Sequence, residues 1–260
     1  MSTMFGASSV FRFVPMLALA IAACGAQGTG QVNNSPAASS AASPVSEPAA
    51  KGSCANPYLP AVNGATWTYA VTNNVNGTSR SSWAITAVGA DSFTISVQSP
   101  TVNWTEPWGC SKAGLLQQQD NGGALAAAFS GPDGEVTISN LSSTGVTVPL
   151  AMKPGDSWTQ TTDYSVSSTV GVSGKSTTTW SYKAVRFESV TVPAGTFDAL
   201  RVDLLIDGSF TYQDGKVLKT TTAGASWWVK GKGQAKSTQS TGVAASTVSF
   251  EAVLQTYQIP

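Results

Sequence analysis

The chain has 260 residues, 14 basic and 14 acidic side chains, and no histidine. Only 11% of the residues are charged, against about 25% in an average soluble domain, whereas 34 serines and 30 threonines supply hydroxyl groups. The balanced charge argues against nucleic acid as a partner. The absence of histidine excludes Ser-His-Asp and Cys-His nucleophiles and imidazole metal ligands. We therefore expect a secreted, non-catalytic protein with no cofactor and no metal.

The chain begins with an apolar stretch of the kind found in secretory leaders. Residues Val14 to Ala23 follow the lone cation Arg12 and are too few to span a bilayer, so residues 1–23 are predicted to be a signal peptide. The stretch ends in Ile21-Ala22-Ala23-Cys24, which resembles the lipobox of bacterial lipoproteins. The resemblance implies cleavage before Cys24 and acylation of its thiol, for example with palmitate. The alternative is an ordinary secretory leader with an incidental cysteine.

Residues 24–52 have the composition of a flexible tether. They consist mainly of Ala, Ser, Gly and Pro, with Glu47 and Lys51 as the only charged residues, so they bury too little surface to offset the entropy cost of ordering. A tether of this length extends about 30 Å. Gly25 and Ala26 lack the aspartate that retains enterobacterial lipoproteins in the inner membrane. We expect the outer membrane in a two-membrane cell and the outer face of the membrane in a single-membrane cell.

Two cysteines, Cys54 and Cys110, remain for the exported domain. Export to an oxidising compartment favours a structural disulfide between them. The alternative, a redox pair of free thiols, lacks the C-x-x-C spacing that lowers a thiol pKa.

Residues 53–260 are predicted to form a single β domain, because apolar residues alternate with polar ones and no segment of helical length keeps a 3.6-residue period. Asn76-Gly77 and Asp214-Gly215 mark turns between predicted strands. Further turns are predicted at 120–123 and 132–134, and a single helical turn at 124–129. The predicted strands carry Trp67, Tyr69 and Val71; Trp83, Ile85 and Ala87; Phe93, Ile95 and Val97; Ala199 to Ile206; and Ala245 to Tyr257.

An internal repeat is also visible in the sequence. Gly64-Ala-Thr-Trp67-Thr68 recurs as Gly155-Asp-Ser-Trp158-Thr159, and Trp83-Ala-Ile-Thr-Ala87 recurs as Trp180-Ser-Tyr-Lys-Ala184. Both pairs occur in the same order, which predicts two similar halves at about 64–150 and 155–257. In such a duplication Trp67 and Trp83 superpose on Trp158 and Trp180.

Three motifs resemble those of a family of uncharacterised secreted and lipid-anchored bacterial proteins. They are C-x-N-P-Y-x-P-x-x-x-G-x-x-W-x-Y from Cys54 to Tyr69, V-P-A-G-T-F-D-A-L-R-V from Val192 to Val202, and W-W-x-x-G-x-G from Trp227 to Gly233. The resemblance implies an all-β fold, a strongly curved antiparallel sheet or open barrel built from two similar halves. Its motifs are structural and imply no chemistry.

Asp203 and Asp207 are the one carboxylate pair that an enzyme hypothesis, such as a glycosidase, would use. They share one face of a predicted strand because an even number of residues separates them. Leu200, Val202 and Leu204 have the opposite parity, which indicates that the two acids simply occupy the solvated face.

The eight tryptophans are the candidate ligand contacts. If Trp67, Trp83, Trp158 and Trp180 line one concave face, they form an apolar groove, and if they interdigitate, they are core. Trp104, Trp108, Trp227 and Trp228 are the candidates for exposed rings, with adjacent Trp227 and Trp228 on opposite faces of a strand. The leading hypothesis is a lipid-anchored envelope lipoprotein that binds an apolar ligand. The alternative is a carbohydrate-binding or protein-interaction module.

Overall fold

The computed structural model describes residues 54–100, 103–118, 136–169, 173–243 and 246–260. The predicted signal peptide, Cys24, the tether, the helical turn at 124–129 and the turns at 120–123 and 132–134 lie outside these residues. The described residues contain strands and turns, with no helix that has the length and apolar character to cross a membrane. The strands are β1 (Thr66–Asn73), β2 (Gly77–Val88), β3 (Ser92–Gln98), β4 (Asn103–Cys110), β5 (Gly114–Gln117), β6 (Val136–Gly145), β7 (Val148–Pro149), β8 (Ser157–Ser168), β9 (Ser173–Val192), β10 (Gly195–Tyr212), β11 (Val217–Val229), β12 (Gly233–Val243) and β13 (Ser246–Gln258).

All thirteen strands belong to one antiparallel sheet, as predicted. Their order is β6-β8-β9-β10-β11-β12-β13-β1-β2-β3-β4-β5-β7. Most neighbours in this order are hairpin-connected, but the first and last strands of the domain, β1 and β13, pair in the middle of the sheet, where Trp67 lies opposite Tyr257. The first and last strands of the described residues therefore lie in the middle of the sheet rather than at its edges.

The two edges of the sheet converge, which gives it strong curvature. Strand β6 pairs with β8 at one edge, and β7, three residues further along the chain, pairs with β5 at the other. Between them, the Val146 amide donates to the Thr159 carbonyl (3.1 Å) and the Thr147 amide to the Leu115 carbonyl (2.8 Å). The segment 136–149 thus connects the two edges of the sheet.

Alternation along the strands separates two faces. Trp67, Tyr69 and Val71 are buried, as are Phe93, Ile95 and Val97, while the residues between them are partly exposed. We call the buried side the inner face and the opposite side the outer face. The main core gathers buried residues from both halves, including Leu200, Val202, Ala184, Val229 and Leu254. A smaller cluster of Ile138, Tyr164, Val166 and Phe210 fills the far end of the long strands.

The N-terminal segment 54–65 crosses one end of the sheet and is pinned at several points. Cys54 forms the predicted disulfide with Cys110 of β4 (Cα–Cα 4.9 Å). The Asn56 amide nitrogen donates to the carbonyls of Val148 and Pro149, at 3.2 and 3.1 Å. The Gly231 amide donates to the Pro57 carbonyl at 2.7 Å. The segment therefore ties together β4, β7 and the β11–β12 turn.

The two predicted halves begin with the same hydrogen-bonded corner. Gly64 and Gly155 both have positive φ, 83° and 95°, as glycine permits. The Gly64 amide donates to the Ile85 carbonyl, and the Gly155 amide donates to the Ala184 carbonyl, both at 2.9 Å. The corner therefore aligns Ile85 with Ala184.

This alignment corrects the predicted pairing of tryptophans. Trp67 lies directly opposite Trp83, but Trp158 lies opposite Tyr182, and Trp180 lies opposite Gln160. The counterpart of Trp83 is thus Tyr182. A shift of two residues along a strand keeps the same face, so both alignments preserve the apolar pattern and the sequence does not separate them.

Candidate functional site

The structure divides the eight candidate tryptophans into core and half-buried residues. Trp67 and Trp108 are 2% and 5% exposed. The other six, Trp83, Trp104, Trp158, Trp180, Trp227 and Trp228, are half-buried. The expectation that Trp108 presents an exposed ring is wrong, because its strand register places it opposite Phe93 on the inner face, where the two rings stack with centroids 5.6 Å apart.

Trp67 is a core residue. Its indole nitrogen donates to the Lys232 carbonyl, and Gly233, which has a φ of 95°, packs so closely that a Cβ there would lie 3.0 Å from the indole nitrogen. Neighbouring Trp83 meets Tyr69 edge to face, with centroids 5.6 Å apart. Both indoles are therefore packed against other groups of the protein.

The second pair of the predicted repeat is more open. Trp158 and Tyr182 stack with centroids 5.3 Å apart and an interplanar angle of 12°, and both are half-buried. The Trp158 indole donates to the Thr147 carbonyl at 3.2 Å. Burial raises the pKa of the Tyr182 hydroxyl, which therefore stays protonated. We call these two stacked rings the platform.

Trp158 and Tyr182 are among the residues that line a cavity of about 540 Å³. Three consecutive rungs of β8, β9 and β10 line it. Trp158 and Tyr182 share the middle rung with Leu204 on the inner face, and the rungs on either side belong to the outer face. The lining residues are Ser157, Trp158, Thr159, Ser181, Tyr182, Lys183, Asp203, Leu204 and Leu205.

Asp203 and Asp207, the two acids predicted to lie on the solvated face, have different hydrogen-bond partners. Asp203 Oδ1 accepts from Arg201 Nε at 2.8 Å, and Asp207 Oδ1 accepts from the Thr221 hydroxyl at 2.8 Å. Leu200 and Val202, of opposite parity, are fully buried, which confirms the predicted faces of this strand. Among the described residues, no group of three or more His, Cys, Asp or Glu side chains is arranged to hold a metal ion.

The ring of Trp227 is occupied on the outer face. Arg201 and Lys236 lie 5.7 and 5.5 Å from its centroid, and its nitrogen donates to Glu188 Oε1 at 2.6 Å. This hydrogen bond, together with the charge of Arg186, lowers the pKa of Glu188. Trp228 points the other way and donates to the Ser226 hydroxyl at 2.9 Å. The Trp227 ring is thus in contact with two cations and a carboxylate, which leaves its faces poorly available to a ligand.

Sequence reasoning missed a buried carboxylate. Glu106 is 8% exposed, and Oε1 accepts from the Trp104 indole at 2.9 Å. Neither its Oε2 nor the indole nitrogen of Trp108 has a hydrogen bond of normal length and angle. Burial raises the pKa of Glu106, with smaller opposing contributions from Trp104 and from the nearby Gln117 and Trp108 side chains. The signal was present in the alternation Trp104-x-Glu106-x-Trp108, which places an acid on an aromatic face.

This carboxylate makes stability depend on pH. A carboxyl whose pKa is raised on folding contributes least when it is ionised, so stability is highest below the unfolded pKa and falls as pH rises toward the folded pKa. We expect Glu106→Gln to increase the free energy of unfolding by about 1–3 kcal/mol at pH 7.5 and to have little effect at pH 3.5. Urea unfolding at both pH values measures this.

The control is Glu251→Gln, which removes a partly exposed ion pair with Lys236 and should change stability at pH 7.5 by less than about 1 kcal/mol. A loss of stability in the Glu106 variant at pH 7.5 would show that the ionised carboxylate is satisfied in the folded protein.

Comparison with solved structures gives proteins of similar architecture. A candidate lipoprotein from Parabacteroides distasonis superposes with a TM-score of 0.50 at 14% identity, over 78% of this chain and 99% of that one. A candidate exported protein with a YmcC-like fold from Bacteroides fragilis gives 0.49 at 12% identity, over 78% and 100%. The hypothetical lipoprotein YmcC from Escherichia coli gives 0.32 at 13% identity, over 78% and 87%.

No protein-family model and no curated protein sequence matches the chain. At 14% identity, the likeness to the Parabacteroides protein concerns the fold alone and transfers no residue role. The chain shares its curved antiparallel sheet with a candidate bacterial lipoprotein.

Proposed function

We propose that the protein is a non-catalytic, lipid-anchored lipoprotein of the cell envelope whose β domain binds a saccharide on the platform. The observation that carries the proposal is the stacked pair of Trp158 and Tyr182, both of which are among the residues that line a cavity of about 540 Å³. A volume of this size accommodates a small oligosaccharide segment. Gln160 and Thr162 follow Trp158 on the same face of β8, and aromatic rings beside polar groups suit a sugar, which has one apolar face and a rim of hydroxyl groups.

The lining favours a saccharide over an acyl chain. Trp158, Tyr182, Leu204 and Leu205 are apolar or aromatic, and the other five lining residues are polar or charged. The neighbouring inner-face positions are also polar, with Gln160, Thr162, Thr178 and Thr222 all buried. An acyl chain would meet polar side chains along this face instead of the predominantly apolar lining that suits it. The earlier hypothesis of an apolar ligand therefore becomes an alternative outcome of the test.

Envelope location is supported by three independent features. The sequence Ile21-Ala22-Ala23-Cys24 resembles a lipobox, the Cys54–Cys110 disulfide suits an oxidising compartment, and the fold resembles that of a candidate lipoprotein. Two or three acyl chains on Cys24 would give stable anchoring, whereas one would not.

The platform is tested by Trp158→Ala. We expect the purified domain to bind saccharides on a glycan array and the variant to bind its best ligand about tenfold more weakly, because loss of ring stacking costs about 1–1.5 kcal/mol. Titration calorimetry gives both dissociation constants. The matched control is Trp180→Ala. Like Trp158, Trp180 is a half-buried indole on the inner face, but it lies on β9 and does not line the cavity.

A fluorescent fatty acid is titrated in parallel. Tight binding of the fatty acid that Trp158→Ala abolishes, with no saccharide bound, would replace the saccharide proposal with an apolar carrier. Equal saccharide affinities for the Trp158 variant and the unchanged domain would move the site away from the platform.

The anchor is tested by Cys24→Ala in the full chain. We expect the unchanged protein to fractionate with membranes and the variant to move to the soluble fraction, because it lacks the thiol that would carry the acyl chains. Mass spectrometry of the N-terminal peptide measures acylation directly. Unchanged membrane association of the variant would contradict the lipobox interpretation.

A further inference from the structure

The row of the sheet that contains the platform continues across three more strands. Tyr182 lies opposite Leu204 of β10, which in turn lies opposite Gly224 of β11. Gly224 lies opposite Gln239 of β12. Residues directly opposite each other on neighbouring strands share a face, so the whole row belongs to the inner face. It leads from the stacked rings of Trp158 and Tyr182 to the side-chain amide of Gln239.

This row lies between the two core clusters. Ala184 and Val202, next to it on β9 and β10, belong to the main core. Tyr164 and Phe210, further along β8 and β10, belong to the smaller cluster. All five residues of the row are half-buried. The inner face therefore keeps part of its surface open to a ligand along the whole row.

Gly224 keeps the middle of the row free of a side chain. A Cβ at this position would overlap the carbonyl oxygen of Thr238, which leaves no room for a larger residue. It would also lie 3.1 Å from Cγ of Gln239, so the stem of the Gln239 side chain lies beside this glycine. No side chain therefore separates Leu204 from Gln239 along the row.

The side-chain amide of Gln239 has no hydrogen-bond partner among the described residues. Other polar groups of the inner face are bonded to each other. The Gln160 amide oxygen accepts from the Thr147 hydroxyl at 2.7 Å. The hydroxyls of Thr222 and Thr241 share a hydrogen bond of 2.6 Å. The nitrogen and oxygen of the Gln239 amide thus remain free to donate to and accept from a ligand.

We infer that the ligand is a linear oligosaccharide that lies along this row, with one unit stacked on the platform and a later unit hydrogen-bonded to Gln239. This inference rests on the proposed function. Neighbouring strands lie about 4.8 Å apart, so the row spans about 19 Å from β8 to β12, several times the width of one sugar ring. An amide both donates to and accepts from hydroxyl groups. Gln239 is therefore the residue that determines specificity for chain length.

A half-buried glutamine is commonly only part of a polar surface. Gln234 of the same strand is also half-buried, but it lies opposite Trp228 and outside the platform row. Gln234→Met is therefore the matched control for Gln239→Met. Methionine keeps the length of the side chain and offers only a weak acceptor.

The experiment compares saccharides that differ only in length. The probes are malto-, cello- and chito-oligosaccharides of one to five units, and titration calorimetry gives their dissociation constants. In at least one series we expect the affinity to rise with chain length and then to level off. The step at which the chain reaches Gln239 should contribute about fivefold, the usual effect of one neutral hydrogen bond.

The variants locate the effect. Gln239→Met should remove this step and leave the shortest ligand that binds unchanged, while Gln234→Met should preserve the step. Equal affinity at all lengths overturns this inference and leaves the platform intact. A step that survives in Gln239→Met also overturns it, as does binding confined to saccharides of the glycan array outside these linear series. If no saccharide of the series or of the array binds, both the inference and the proposed function fail.

Discussion

Replacement of Trp67 by Ala is expected to lower the free energy of unfolding by about 3–5 kcal/mol, the usual loss for a large aromatic residue in a packed core. Trp158→Ala should lower it by far less. The two residues hold equivalent places after Gly64 and Gly155, the glycines that begin the two hydrogen-bonded corners. The comparison therefore separates the effect of surroundings from that of chain position.

The indoles of Trp67 and Trp158 differ in how completely other groups of the protein cover them. Trp67 is 2% exposed and packs against Gly233, where the backbone comes close enough that no larger residue fits without a shift. Removing this indole leaves a cavity and an unpaired Lys232 carbonyl, and both are costly. Trp158 already borders an open cavity, so water can replace its ring without a void in the core.

Urea unfolding monitored by circular dichroism gives both free energies, since the remaining tryptophans complicate fluorescence. Similar losses of several kcal/mol in the two variants would mean that Trp158 is core and the platform is not a solvated site. A loss below about 1 kcal/mol for Trp67→Ala would contradict its assignment to the core.

Local alternation explains why much of the sheet could be predicted. Trp67, Tyr69 and Val71 alternate with polar residues because side chains on a strand point to opposite faces in turn, and all three are buried as expected. Gly77 and Gly215 adopt positive φ at the turns predicted from Asn-Gly and Asp-Gly. Such features depend only on neighbours along the chain.

Pairing between distant strands was not predictable in the same way. Strand β1 pairs with β13, and β6 with β8 while β7 joins β5. No local pattern distinguishes these partners, since any exposed strand edge offers the same hydrogen-bonding groups. They follow from the curvature of the whole sheet and from the positions of its ends.

The site depended on small differences that the sequence conceals. Trp180 and Tyr182 share a face, so either could be the partner of Trp158, and only the register selects Tyr182. Arg201 and Asp203 share one face of β10, and the ion pair between them appears only in the structure. The alternation Trp104-x-Glu106-x-Trp108 indicates the face of Glu106, but the extent of its burial depends on how β4 packs.

The second large effect is expected from the disulfide. The double replacement Cys54→Ser and Cys110→Ser should lower the free energy of unfolding by about 4 kcal/mol, since the bond closes a loop across 56 residues and restricts the unfolded chain. The folded segment should stay in place, because Asn56, Tyr58 and Pro57 hold it through hydrogen bonds to Val148, Met152 and Gly231.

Two measurements separate these contributions. Urea unfolding of the double variant should match that of the reduced, unchanged domain, because both lack only the covalent link. Limited proteolysis should still spare residues 54–65 in the folded variant, because the hydrogen bonds to β7 and the β11–β12 turn remain. If the variant loses stability as expected but the segment is cleaved rapidly, the disulfide itself holds the segment in the folded state, and the loss is not an effect on the unfolded chain alone. A loss below about 1 kcal/mol would mean that the link restricts neither state, as expected if the unfolded chain already keeps Cys54 close to Cys110.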